Sequence, residues 1–332
     1  MTRQAYIWVN YNNITVLKKY LDIIHMSLRN IGYSCEYITT MKGISKKALI
    51  VYPMGKDAFK YYFKGYHNFI LWQQGATADE SFMRNHSNLR YRILNFIDCF
   101  SMKKARFIFY VSNYMKKHYE LLAHMNFSNK SYIMPCYNEE IDKSIFAKKD
   151  YTKKIFSYVG SLDLWQCFDR IVELYAQIEC ANKNSMFKVL TFQVDEAKKI
   201  LEKKKVKNFV VKYVPQNELK NELIEATYGF VIREDNMVNR VATPTKISSY
   251  LASGVLPIYS TCLIDFYEVS QGYSCTLGVG TSVQTNEIIE FINKPIDVGT
   301  ISNEIIGLFD CYYNTNKHVQ NITSNFKKIL GD

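Results

Sequence analysis

No apolar run in the 332 residues approaches the roughly 18 consecutive positions of a membrane-spanning helix, which argues against a helical membrane protein. Proline (6) and glycine (14) are scarce, which excludes collagen-like and low-complexity polymers. With 48% hydrophobic and 22% charged residues, the chain has enough apolar surface to fold, which excludes disorder. The eight cysteines, at 35, 99, 136, 167, 180, 262, 275 and 311, form no Cys-x-x-Cys pair, and the six histidines show no metal-ligand spacing. Neither a disulfide scaffold nor a metal site is expected; free thiols in a reducing compartment are. The opening Met1-Thr2-Arg3-Gln4 leads into a short strand rather than a signal-peptide core, so a soluble cytoplasmic chain is the expectation.

Three common enzyme signatures are also missing. The turn after the first apolar strand reads Asn10-Tyr11-Asn12-Asn13, with none of the glycines of a dinucleotide-binding Gly-x-Gly-x-x-Gly. No Gly-x-x-x-x-Gly-Lys-Ser/Thr phosphate loop occurs, and no Gly-x-Ser-x-Gly nucleophile elbow. Zinc-finger spacing, ribonucleoprotein aromatic motifs and helix-turn-helix signatures are absent too, so no nucleic-acid partner is expected.

What is present is an uneven charge. The net charge is +11, and residues 1 to 135 hold 19 lysines and arginines against 7 aspartates and glutamates, whereas the remainder holds 23 against 24. The first part is therefore a distinct electrostatic unit. Basic pairs stand at Lys18-Lys19, Lys46-Lys47, Lys103-Lys104 and Lys116-Lys117. From Arg84 to Arg106, Arg90 and Arg92 lie among Leu89, Tyr91, Ile93, Leu94, Phe96 and Phe100. Cations beside aromatic rings fit an anionic membrane surface, while a solvated helix face accounts for the same pattern.

Strand-like and helix-like patterns alternate along the chain. Short apolar segments at 5–9, 35–38, 48–52, 68–72, 107–111 and 131–134 are separated by helical spacing at 16–31, 59–63, 89–102 and 113–123. A polar stretch follows, and the alternation restarts at Ile155 to Val159. It continues through 165–180, 187–192, 195–204, 209–214, 217–226, 228–232, 245–253 and 256–259 to a closing helix at 319–330. This rhythm predicts an α/β chain of two doubly wound parallel-sheet, Rossmann-like domains. The expected layout is a first domain at 1–138, a linker at 139–154, a second domain at 155–315 and a closing helix at 316–332 that packs back on the first.

The second domain carries the chemistry. Tyr158-Val159-Gly160-Ser161 ends its first strand, with Trp165-Gln166 expected to open the next helix; glycine at such a turn lets an anion approach the backbone. Further on, a strand ends in a loop bearing Arg233, Glu234, Asp235 and Arg240. Thr243 is then expected to cap a helix whose first residue is Pro244. Lys246 falls in the first turn, where a cation opposes the helix dipole unless it meets an anion. Gly254 stops the helix, and the next strand begins at once.

The segment Pro244-Thr245-Lys246, three residues, then Tyr250-Leu251-Ala252-x-Gly254-x-x-Pro257-Ile258 resembles the donor-binding segment of bacterial group-1-type glycosyltransferases of the GT-B fold, such as those of capsule, exopolysaccharide or lipopolysaccharide synthesis. Gly160-Ser161 with Trp165-Gln166 is similar to the opening of that family's second domain. Gln73-Gln74-Gly75, Tyr110-Val111-Ser112 and Ile133-Met134-Pro135-Cys136 agree in order with its first. The resemblance implies two domains facing across a cleft, with a nucleotide sugar, UDP- or GDP-linked, in the second and a glycan or lipid-diphosphate-linked acceptor against the first. It implies transfer with retention of configuration. With no metal cluster in the sequence, transfer without metal or true cofactor is expected, and the basic first part fits a place in the cytoplasm or peripherally on the inner face of the cytoplasmic membrane. Carried over, Arg233, Arg240 and Lys246 meet the diphosphate, with Gly160, Ser161, Thr245 and Ser249 lining the donor site. Glu234 contacts the sugar or acceptor, and Arg240, Lys246 and Glu234 are the candidate catalytic residues. His67, His86, His118 and His124 are candidates for acceptor contact. The sequence departs from the family where many members place two glutamates eight residues apart: Val241 and Ser249 stand there. A weakly active or inactive binding protein of the same fold, or a nucleotide-sugar epimerase, remains as the alternative.

Overall fold

A computed structural model describes residues 3–9, 14–282 and 285–331; the expected turn at 10–13 lies outside them. The chain divides into two compact units, Met1–Cys136 with Asn314–Asp332, and Tyr137–Tyr313.

The first unit holds β1 (Arg3–Trp8), β2 (Tyr33–Ile38), β3 (Leu49–Tyr52), β4 (Phe69–Gln73), β5 (Phe107–Tyr110) and β6 (Ser131–Ile133). They form one parallel sheet in the order β2-β1-β3-β4-β5-β6. Every residue of β3, β4 and β5 is buried, as strands covered on both faces require. Gln73 is the one non-aromatic polar side chain in these three strands, at the C-terminal end of β4 where ligands meet open sheets. The Asn88–Lys104 and Asn113–Ala123 helices begin at Ser87 and Ser112, whose hydroxyls accept from the amides of Arg90 and Met115. A helix at Thr77–Asn85 escaped the periodicity reading because Ala78 is its one buried residue. The Thr315–Ile329 helix starts at its Asn314 cap and lays Phe326 against the rings of Phe107 and Phe109, 5.2 and 5.9 Å between centroids. Arg3 donates to the Leu330 carbonyl at 3.0 Å, and Tyr132 bonds His318 at 2.9 Å, fixing both ends of that helix to the first unit.

The second unit holds β7 (Ile155–Val159), β8 (Met186–Leu190), β9 (Phe209–Lys212), β10 (Tyr228–Val231), β11 (Leu256–Ser260) and β12 (Leu277–Val279). The parallel order β12-β11-β10-β7-β8-β9 reverses direction between β7 and β10. That reversal opens a crevice at the C-terminal edge. Tyr250, fully buried on the Thr245–Ala252 helix, spans the same junction: its hydroxyl accepts from the Val159 amide at 3.1 Å and lies 3.2 Å from the Ser157 carbonyl. The polar stretch 139–154 belongs to this unit and is laid against it. Ile145 and Phe146 are buried, and Lys149 Nζ donates to the carbonyls of Leu223, Ala226 and Ser253. Tyr151 OH also donates to the Gly254 carbonyl at 2.9 Å and Lys154 Nζ to Asn182 Oδ1 at 2.9 Å, attachments that no periodicity announces.

Candidate active site

The crevice between β7 and β10 gathers two cations, Lys246 and Arg233. β7 is followed by Gly160, whose φ of +133° is a conformation that L side chains rarely adopt, and whose amide donates to the Leu190 carbonyl at 3.1 Å. A Cβ on Gly160 would lie 3.2 Å from Lys246 Nζ, so the ammonium stands directly over this turn. Lys246 Nζ donates to Gln166 Oε1 at 2.7 Å and sits 4.4 Å from the centre of the Tyr158 ring. After β10 comes Arg233, only 5% exposed. Its amide donates to Ser260 Oγ at 2.8 Å and its Nη1 to the Ile232 carbonyl at 3.3 Å. Among the described residues no carboxylate forms an ion pair with Arg233 or Lys246.

Burial holds Lys246 well below the ordinary lysine range, with the charge of Arg233 adding to the effect. Burial also lowers Arg233 from its ordinary value. Two neighbouring cations, one buried and one half-buried, without an anion are an unfavourable arrangement that an entering diphosphate would relieve.

The surrounding backbone is firmly held. Tyr158 OH donates to the Ser161 carbonyl at 2.5 Å, and the Leu162 amide donates to Gln193 Oε1 at 2.7 Å. Ser161 Oγ is engaged with Asp163 Oδ2 at 2.6 Å. The helix expected to open at Trp165-Gln166 is instead a single 3-10 turn, Leu164–Gln166, broken at Cys167 in the left-handed region (φ 52°) before the Phe168–Ala181 helix begins. Thr243 is not the cap of the Lys246 helix. Pro244 holds the extended cap position (ψ 120°), and the helix starts at Thr245. The Ile247 amide donates to the Pro244 carbonyl at 3.1 Å, while the amides of Thr245 and Lys246 precede any intrahelical acceptor and add partial positive charge beside Lys246.

The remaining sequence candidates divide. Arg240 is paired with Asp235 at 2.5 and 2.9 Å, which lowers the Asp235 pKa, and both are half-exposed. Glu234 has an exposed side chain, while its carbonyl accepts from Asn239 Nδ2 at 2.9 Å. Ser249 is buried and its Oγ lies 3.4 Å from the Thr245 carbonyl; Val241 is 1% exposed. Thr245 occupies the first helical position, half-buried. Sequence reasoning missed the parts played by Tyr158, Gln193 and Ser260. The last two act through contacts 31 and 27 residues away that no local pattern encodes. Of the histidines, His86 and His124 are left-handed helix C-caps, His67 packs on the Tyr62 ring at 4.3 Å, and His118 faces Asp79 Oδ2 at 3.5 Å. Among the described residues, no three His, Cys, Asp or Glu side chains gather as metal ligands, and no helix is long and apolar enough to cross a membrane.

No protein-family model matches the sequence, and no curated protein matches it. Solved structures do match the fold. HepE of Anabaena, in complex with UDP and glucose, superposes with a TM-score of 0.67 at 9% identity, over 98% of this chain and 100% of that one. An alpha,alpha-trehalose-phosphate synthase (UDP-forming) from Burkholderia vietnamiensis gives 0.64 at 9% identity, over 99% and 98%. TarM of S. aureus, as a point mutant in complex with fondaparinux, alpha-GlcNAc-glycerol and UDP, gives 0.60 at 9% identity over 84% of this chain, which spans 56% of that one. The two Rossmann-like units together make this the GT-B fold.

Proposed function

We propose that the chain is a glycosyltransferase that moves a sugar from a nucleoside-diphosphate donor to a glycan or lipid-diphosphate-linked acceptor in surface polysaccharide synthesis. The observation that carries this reading is the pair Arg233, buried, and Lys246, half-buried, beside the Gly160 turn without a carboxylate partner among the described residues. Bond cleavage at the sugar carbon leaves negative charge on the departing diphosphate. Preorganised cations and helix amides stabilise that charge where it grows. Lys246, Arg233 and the amides of the Thr245–Ala252 helix supply such a set from the chain's own groups, which supports transfer without metal. Retention of configuration, with the acceptor hydroxyl delivered on the face of the departing phosphate, follows from the sequence resemblance. Glu234 is available for a sugar hydroxyl, and Arg240 would have to leave Asp235 to reach a phosphate. Solved structures of the same fold with UDP bound support a nucleoside diphosphate as the ligand. Val241 and Ser249, both buried, offer no carboxylate for a ribose.

Calorimetric titration with UDP and GDP tests the reading through Arg233→Met. The substitution removes a buried charge without a carboxylate partner, so the unliganded protein is expected to melt at the same temperature or higher. Nucleotide affinity is expected to fall by about 10- to 100-fold, the worth of a charge-assisted hydrogen bond. Undiminished affinity in a folded variant would contradict the assignment.

We also place an anionic membrane surface among the partners. Phe63, Leu89, Ile93 and Phe96 are exposed on the Gly55–Tyr62 and Asn88–Lys104 helices and the turn beside them. Phe63 and Phe96 join Phe59 and Phe100 in one ring cluster, with Lys104 Nζ 5.9 Å from the Phe100 centroid. Aromatic rings with lysines at their rim suit lipid headgroups. Flotation with vesicles containing phosphatidylglycerol, but not with pure phosphatidylcholine, is expected, and Phe63→Ser/Phe96→Ser should abolish it. Equal flotation of the double variant, or none of the wild type, would remove the membrane from the account.

A further inference from the structure

The C-terminal ends of β3 and β4 in the first unit enclose a cavity of about 360 Å³, within the size range of small-molecule sites. Its polar side is built around Asp98, 3% exposed, on the Asn88–Lys104 helix. Asp98 Oδ2 accepts from Tyr119 OH at 3.0 Å and from Gln73 Nε2 at 3.2 Å, and burial still lifts its pKa to about 6. Gln73, 2% exposed and lining the cavity, also donates through Nε2 to the Gly75 carbonyl at 2.8 Å. Its nitrogen side is thus fully used, and its Oε1 is buried without a donor among the described residues. A native buried acceptor left in that state calls for a donor from outside the protein.

Glu80, also lining the cavity and half-buried, accepts no hydrogen bond from the described residues, and burial raises its pKa. Its Oε1 lies 2.5 Å from where a Cβ on Gly75 would stand, so the bare glycine is what lets the carboxylate rest there. Gly55 plays the same part for Asp98, whose Oδ1 lies 2.3 Å from the position of an added Cβ. Leu94 and Ile97, on the same helix as Asp98, supply apolar wall, and the one cation of the lining, Lys56, is exposed at the rim. The lining thus combines carboxylate and amide acceptors with aliphatic surface. A pyranose ring has hydroxyl donors around its edge and an apolar face, and it carries no charge for the two carboxylates to repel.

We propose that this cavity is an acceptor subsite that takes a neutral, hydroxyl-bearing sugar ring, with Glu80 and Gln73 Oε1 accepting from its hydroxyls and Leu94 and Ile97 covering its apolar face. The assignment of the ring as acceptor rests on the glycosyltransferase reading above. Despite the basic surface of the first unit, the cavity itself discriminates against acid sugars and sugar phosphates, because an anion would meet Asp98 and Glu80 together.

The test is saturation-transfer NMR on the full chain without nucleotide, using methyl glycosides of neutral hexoses, a hexosamine and a uronic acid at millimolar concentration. The wild type is expected to give its signal with neutral glycosides. Glu80→Ala should reduce that signal at least fivefold, and so should Gly75→Ala, whose new methyl group displaces the Glu80 carboxylate while leaving every charge in place. Both variants should melt as the wild type does and keep UDP binding, whereas Lys246→Ala should keep the sugar signal and weaken UDP binding by about 10- to 100-fold. The proposal is overturned by the absence of a neutral-sugar signal, by its survival in both cavity variants, or by preference for the uronic acid or the hexosamine. Loss of the donor reading would appear separately, as failure of the wild type to bind UDP while the sugar signal persists.

Discussion

Replacing Lys246 with alanine is expected to weaken nucleoside-diphosphate binding by about 10- to 100-fold and to slow sugar transfer by at least as much. The ammonium over the Gly160 turn is held by Gln166 and Tyr158, neither of them an anion, so its charge remains available to a ligand. The same burial that prepares it for phosphate makes it a burden in the empty protein. Its folded-state pKa lies below the ordinary lysine value of 10.5. Between those two values the unfolded chain binds more protons than the folded one, so stability rises with pH across that window and the penalty is full below it. In Lys246→Ala this component of the pH dependence should vanish, leaving the variant as stable as the wild type or more so near neutral pH. An arriving diphosphate restores the lysine's affinity for its proton, so binding at mildly alkaline pH should take up protons. Calorimetry in buffers of different ionisation enthalpy reads that uptake directly. Heats that do not depend on the buffer, or that match between wild type and variant, would contradict the role given to Lys246.

Gly229→Ala is expected to be the most damaging single methyl group in the second unit. Gly229 lies in β10 under the ring of Tyr250, and an added Cβ would come within 2.6 Å of two ring carbons and 2.8 Å of a third. The ring cannot withdraw, because Tyr250 is fully buried and its hydroxyl is fixed to the backbones of β7 and β10. Overpacking of this kind costs about 1–3 kcal/mol or more, since strand or helix must shift. For a unit of this size that is a fall in melting temperature of about 2–4 °C for each kcal/mol. Tyr250 and Lys246 share a helix, so the shift should also weaken UDP binding. A thermal melt with and without UDP measures both effects, and an unchanged melting temperature would show that the junction is looser than the geometry indicates.

The contrast between these residues and others shows what the sequence could convey. Strands such as β4 and β10 are legible because sheet burial on both faces leaves continuous apolar runs. Gly160 and the Pro244 to Gly254 segment are legible because a turn, a helix start and a helix stop each demand particular residues. The state of a cation is not legible. Arg233 and Arg240 stand in one loop and look equivalent, yet one is buried without a carboxylate and the other is bound to Asp235. The cap at Pro244 rather than Thr243 depends on a backbone angle that Thr-Pro does not determine. The first-unit cavity was least visible of all. Gln73, Asp98 and Tyr119 meet across as many as 46 positions, and only the folded sheet and its covering helices bring them together.

The most direct test of the account is the structure of the protein determined with UDP bound. The diphosphate is expected against Lys246 Nζ and the Arg233 guanidinium, over the Gly160 turn and the first amides of the Thr245–Ala252 helix. Phosphates bound elsewhere, with Lys246 still resting on Gln166 and Tyr158, would contradict it.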